Sequence, residues 1–163
     1  MIDAQQASAE DQTAVILLAD IAEASRMWGW SRIVRGPRAL RDIPGLLFSK
    51  VLGSGFDGGF DLRPSRSRQG LFALFESSQK AQDFIAHSVL VRAYQDRSNE
   101  FCCATLKTFS CRGSWDGISL QVNAEAPLKG PVAALTRASI KFGKAPAFWR
   151  HAPPSQTALE GVH

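Results

Sequence analysis

Three cysteines, three histidines and a glycine-rich loop are the residues of this chain with the most obvious chemical uses. Cys102 and Cys103 are adjacent and Cys111 follows them, an odd set whose spacing suits no zinc site. Neighbours on a strand point to opposite faces, so the Cys102–Cys103 pair is poorly placed to chelate one ion. Buried structural thiols in a reducing compartment are the expectation. His87 falls in a helix-like segment, His151 follows Trp149-Arg150, and His163 is the last residue. GSGFDGGF (53–60) is rich in glycine but lies between two strand-like runs, not ahead of a helix N-terminus. It reads as a flexible hairpin or lid loop, not a phosphate cradle. The sequence has no GxGxxG in a strand-to-helix setting, no P-loop, no His-x-x-Glu-His and no facial-triad spacing.

The elements that must position these residues are those of a soluble domain. The chain has 163 residues, 45% hydrophobic and 21% charged, enough to bury a core without staples. Its formal charge is +4 and its pI about 9.3, which favours acidic ligands or surfaces without selecting one. No apolar run approaches the ~20 residues of a spanning helix. The start, MIDAQQASAEDQ, has neither the basic opening nor the apolar middle of a signal peptide. A cytoplasmic location is expected, with a peripheral position at the inner membrane as its extension.

Residues 1–12 read as a disordered lead-in. TAVILLADI (13–21) is a buried strand by its aliphatic, β-branched character. SRMWGWSRIVRGPRALRD (25–42) reads as a helix broken near Gly36-Pro37. LLFSKVLGSG (46–55) is a second strand, residues 56–69 a loop, and GLFALFES (70–77) a third strand. Ser77 or Ser78 caps a helix over about 80–99, with Phe84, Ser88, Val91 and Gln95 along one face. EFCCATLKTFSCRG (100–113) is a fourth strand. The order β-α-β-β-α-β over 13–113 predicts an α+β, ferredoxin-like unit: an antiparallel sheet with both helices on one face. The other face then needs a cover.

A connecting arm (114–130) follows. PVAALTRASI (131–140) matches the first strand in weight and position, and APAFWRHAPPSQTAL (145–159) parallels GPRALRDIPGLLF. Residues 131–163 therefore read as the first β-α of a second, incomplete ferredoxin-like repeat. The alternative is an extension that caps the first unit.

The runs PRALRDIPGLLFSKVLGSGFDGGF, RGSWDG and GPVAALTRASIKFGKAPAFWRHAP, in that order, resemble spheroidene monooxygenase, the acyclic carotenoid 2-ketolase of purple phototrophic bacteria. The resemblance begins near residue 13 and covers nearly all the rest, matching about the N-terminal two thirds of the family. Its members continue into a second ferredoxin-like half, so this chain is expected to be C-terminally truncated and to lack ketolase activity alone.

The resemblance implies a dimeric α+β barrel type of fold and oxidation of C-2 of spheroidene-type carotenoids to a ketone. It implies dioxygen as oxidant, reduced ferredoxin as electron donor and haem as cofactor. Attack on an unactivated C–H bond needs such a cofactor, because side-chain acids and bases do not break it. Under that implication His87 is a candidate axial ligand to the metal, against the reading of an exposed helix histidine. Lys50 and Arg137, charged residues inside strand patterns, are candidates to pair with haem carboxylates, against the reading that both face solvent. Phe48, Phe72, Trp115 and Trp149 are candidates for the wall of a polyene channel, against simple core packing. Cys102 or Cys103 is a conceivable thiolate ligand.

Rival classes remain open. An RNA-recognition module shares the element order, but it needs rings at alternate positions of its third strand. Counting on from Gly70 places Leu71 and Ala73 in those slots and leaves Phe72 out of phase, so nucleic acid is not expected as a partner. A half-barrel remnant that dimerises through its open sheet face and binds apolar ligands without catalysis is a further reading. A cofactor-independent oxygenase acting on an activated phenol is another.

Overall fold

The computed structural model describes residues 11–56 and 63–136. Strand β1 spans Thr13–Ile21, helix α1 Arg26–Arg35, β2 Leu46–Gly55, β3 Pro64–Phe75, α2 Ser78–His87, α3 Val89–Asp96 and β4 Ser98–Leu106. The strands form one antiparallel sheet in the order β2-β3-β1-β4, the ferredoxin-like topology with the first and third strands at the centre.

Period-2 alternation divides the sheet residues between two environments. Val15, Leu17, Ala19 and Ile21 of β1, with Leu71, Ala73 and Phe75 of β3, meet Ala81 and Phe84 of α2 and Val91 and Tyr94 of α3 in the main core. Edge-to-face packing of Trp28 on Tyr94 (centroids 4.9 Å apart) joins α1 to that core. Gly29 lets α1 approach closely, because a Cβ there would fall 2.8 Å from Gln69 Nε2 and 3.3 Å from Ile21 Cγ1.

The break foreseen near Gly36-Pro37 is present: α1 ends at Arg35 and a 3₁₀ segment, Gly36–Leu40, continues the chain. The helix expected over 80–99 is instead two. Ser77 caps α2 by accepting from the Lys80 amide, and Ser88 then turns extended (ψ 124°). The Ser88 hydroxyl accepts from the Leu90 amide and caps α3. Serine competes with the helix for backbone partners, and here the competition ends one helix and starts another. The rotation moves Tyr94, not Gln95, into the core.

Strand β3 begins at Pro64, inside the segment read as a loop, and β4 ends at Leu106. Beyond β4 the chain forms an arm. Asn123 and Thr108 exchange hydrogen bonds (Asn123 N–H to Thr108 O, 2.9 Å; Thr108 N–H to Asn123 Oδ1, 3.3 Å). Gln12 ties the arm to the foot of β1: its Oε1 accepts from the Gln121 amide (2.7 Å) and its carbonyl from Asn123 Nδ2 (2.6 Å). Residues 131–136, the start of the expected strand 131–140, are exposed and have no regular structure; the rest of that run lies outside the described residues.

Candidate functional site on the helix-free face

The face of the sheet away from the helices is a ladder of rungs, each two residues (about 7 Å) from the next. Leu74, Ala14 and Leu106 share the first rung with Phe48. Phe72, Ile16 and Ala104 share the second with Lys50. Gly70, Leu18 and Cys102 share the third with Leu52, and Arg68, Asp20 and Glu100 form the fourth.

The arm covers the first two rungs. Trp115 packs on Phe48 (centroids 5.4 Å) and Phe72 (5.7 Å), which are themselves 6.3 Å apart. Leu120 joins the same cluster. A two-residue reverse turn aims the indole: Trp115 and Ile118 exchange backbone hydrogen bonds of 2.7 and 3.0 Å across Asp116 (φ 52°) and Gly117 (φ 83°). Asp-Gly is the pair that tolerates two left-handed residues in such a turn. Lys50 Nζ lies 2.6 Å from Asp116 Oδ2 and 5.7 Å from the Phe48 ring centroid.

The third rung is bare. Leu18 is 50% exposed although Leu17 and Ala19 beside it are buried. Leu18, Leu52, Gly70 and Cys102 line an open hollow of about 560 Å³, with Asp20, Arg68 and Glu100 at its polar end. Gly70 makes the depth: a Cβ there would lie 3.4 Å from Leu18 Cδ2, so larger side chains fill the floor. The geometry is that of a groove with an apolar floor, a polar end and an aromatic stop one rung beyond.

Phe48, Phe72 and Trp115 are thus brought together, with Lys50 beside them. His87 is not: it ends α2 on the helix layer, exposed, its Nδ1 3.2 Å from the Asp83 carbonyl oxygen, with the sheet between it and the hollow. Arg137, Trp149, His151 and His163 lie outside the described residues. Cys102 faces the hollow, whereas Cys103 turns to the main core opposite Leu17, where burial pushes its thiol pKa up. On β3 the helix-free face is one residue out of phase with the sequence expectation: Gly70, Phe72 and Leu74 face away from the helices, while Leu71, Ala73 and Phe75 face them. Residues 69–75 are buried on both faces, so alternation alone cannot fix the phase. Its one ring on the open face, Phe72, lies under Trp115.

A haem requires an apolar slot, an axial donor and cations for its carboxylates. The third rung supplies the slot and Cys102 a donor. The fourth sets two carboxylates against one guanidinium, and Lys50 is engaged by Asp116. The described residues therefore fit the ring but not its carboxylates, and do not complete a haem site. Among them no group of three or more His, Cys, Asp or Glu is placed to hold a metal ion, and no helix is long and apolar enough to cross a membrane.

No family model matches the chain. Among solved structures, the cofactor-independent oxygenase SnoaB of Streptomyces nogalater aligns with TM-score 0.43 at 11% identity, over 61% of this chain and 95% of that one. A Nitrosomonas europaea protein of unknown function aligns with TM-score 0.46 at 8% identity, over 66% and 98%. Sequence similarity is much stronger. A spheroidene monooxygenase of Rubrivivax gelatinosus is 51% identical over 146 residues, 90% of this chain and 57% of the relative. Those of Rhodobacter capsulatus and Cereibacter sphaeroides are 33% and 29% identical, over 80% and 78% of this chain and 55% and 40% of their own lengths. The chain thus spans about half the length of the curated relatives it matches. Identity at this level along nine tenths of the sequence places the chain in the spheroidene monooxygenase family.

Proposed function

We propose that the helix-free face is one wall of a carotenoid-oxidising site, and that the chain serves a monooxygenase converting C-2 of spheroidene-type acyclic carotenoids to a ketone. The relatives' names supply the substrate class. The observation that carries the reading is the bare third rung, an apolar groove stopped by Trp115. Leu18, Leu52 and Gly70 would hold the chain end of a polyene, Trp115 would limit how far it enters, and the arm would keep water from the aromatic end.

The finer reading takes dioxygen as oxidant, reduced ferredoxin as electron donor and haem as the group that activates oxygen when bound. Each oxygenation of C-2 uses one dioxygen, two electrons and two protons and returns one water. A second at the same carbon gives a diol that loses water to the ketone. Because Lys50 is engaged by Asp116 and Arg68 stands with the carboxylates of Asp20 and Glu100, further cations for the haem carboxylates, with any iron ligand other than Cys102, would come from groups across the hollow. A second sheet facing this one, such as that of a second copy of the chain, would bring them.

The test is pigment retention. Purified from spheroidene-producing cells, the full chain should carry the carotenoid, and Gly70→Val, which fills the groove floor with a strand-favouring side chain, should lose it while keeping its melting temperature within a few degrees. A colourless wild type, or equal pigment on the Gly70→Val variant, overturns the reading. Adding haemin, ferredoxin and its reductase in air should yield the 2-ketone only where a second sheet faces this one, and the chain alone should leave the pigment unoxidised. Ketone formed equally well without haemin sinks the haem assignment alone.

A further inference from the structure

Helix α1 presents an outward face that neither the sheet nor the hollow uses. Its inward side is fixed by Gly29, buried against Ile21 and Gln69. Helical periodicity puts Met27, Ser31 and Val34 on the opposite side. Met27 is 83% and Val34 82% exposed, among the most exposed large apolar residues of the described chain. Arg35 at the end of the helix, Arg38 on the 3₁₀ segment and Arg41 directly after it are all exposed and without an ion-pair or hydrogen-bond partner among the described residues. The other two arginines of α1 are engaged: Arg26 pairs with Glu23 at 2.9 Å, and the Arg32 guanidinium lies 5.5 Å from the Trp28 ring centroid.

We infer that this face docks on an anionic lipid surface. Two side chains that stand proud of a convex helix match a deformable acyl layer better than the fixed surface of another protein, and three uncommitted guanidiniums at and after the helix end match lipid phosphates. Gly29 lies against Gln69, and Ile33 Cδ1 lies 3.9 Å from the Cβ position of Gly53; Gln69 and Gly53 both line the hollow. The docking face and the groove therefore lie on opposite sides of the sheet while sharing strands β2 and β3, so lipid contact leaves the groove open. The inference deepens the proposed function, whose substrate partitions into bilayers, but its readout needs no carotenoid.

The experiment is co-sedimentation of the full chain with phosphatidylcholine vesicles containing phosphatidylglycerol. The chain should bind, release as salt rises, and ignore pure phosphatidylcholine. Replacing Arg35, Arg38 and Arg41 together by Gln should weaken partitioning on the order of 100-fold, at about fivefold per cation. Met27→Ser with Val34→Ser should weaken it about tenfold. These surface changes should leave the melting temperature unchanged. Three results overturn the inference: a wild type that stays in solution, an arginine variant that sediments as well as wild type, or a face that binds an acidic protein and no vesicles. Gly70→Val should still sediment, so loss of pigment and loss of membrane binding are separable failures.

Discussion

Lys50 Nζ sits 2.6 Å from the Asp116 carboxylate and thereby ties the middle of β2 to the tip of the arm's reverse turn. Both side chains are partly exposed, so the pair contributes at most about 1 kcal/mol. Its consequence is positional: with Asp116 held, Trp115 stays over Phe48 and Phe72. Asp116→Asn should barely change the melting temperature but speed hydrogen exchange at the Trp115 and Ile118 amides, which bond each other's carbonyls. Unchanged exchange would mean that the turn alone holds the indole.

Asp11 organises the start of α2. Its carboxylate accepts from Lys107 Nζ (2.8 Å), the Ser78 hydroxyl (2.8 Å) and the Ser78 amide (2.9 Å). The Lys107 bond first, then those from Ser78, hold its pKa down at about 2, from an ordinary 3.8. A folded value below the unfolded one gives stabilisation that is complete above pH ~4 and lost as pH falls through about 2. Asp11→Asn should flatten the acid limb of the stability curve across that window and leave it parallel above. An unaltered acid limb would count against this role.

Tyr94 is the only tyrosine, so its titration can be read directly. Burial pushes its pKa up to about 12, with Arg32 pulling weakly the other way. A raised value in the folded state means that its contribution is full below pH ~10 and disappears as pH rises through about 12. Phenolate absorbance in the native protein should therefore appear only near the top of that range. Tyr94→Phe should abolish the step and cost about 0.5 kcal/mol, since the bond it removes, from the hydroxyl to Gln69 Oε1, is long at 3.4 Å.

Adjacent thiols should differ sharply in reactivity. Cys102 lies exposed in the hollow, whereas Cys103 packs on the main core and its pKa is raised by burial. A disulfide-exchange reagent should modify Cys102 first and Cys103 only on unfolding, and Cys102→Ser should remove the fastest phase. A bulky adduct on Cys102 should also displace pigment from the groove. Equal rates for the two thiols would contradict their assignment to opposite faces.

The fold was legible because apolar runs bounded by Gly, Pro and Ser mark strands and helices locally. TAVILLADI, the α1 break at Gly36 and the Ser77 cap all came from neighbours in sequence. The site was legible in part. Trp115 lies in a family-matching run, and the aromatic residues Phe48 and Phe72 meet it in the fold. The hollow was not, because Leu18, Leu52, Gly70 and Cys102 become neighbours only through cross-strand register, which a doubly buried strand such as β3 does not encode in its alternation. The break at Ser88 escaped for a similar reason: a serine in a helical pattern reads as surface until its hydroxyl is seen to cap the next turn.

β1, like β3, needs two partners, and both of its partners follow it in the chain; the later of them, β4, ends only at Leu106. During synthesis β3 can cover one edge of β1, but the other must wait unsatisfied until β4 leaves the ribosome. A sequence as oily as TAVILLADI is then a standing invitation to misassembly, and closure must proceed through distant contacts, the slow kind. Cells making this protein should depend on chaperone capacity at that interval, and pausing translation before codon 98 should send the product into inclusion bodies.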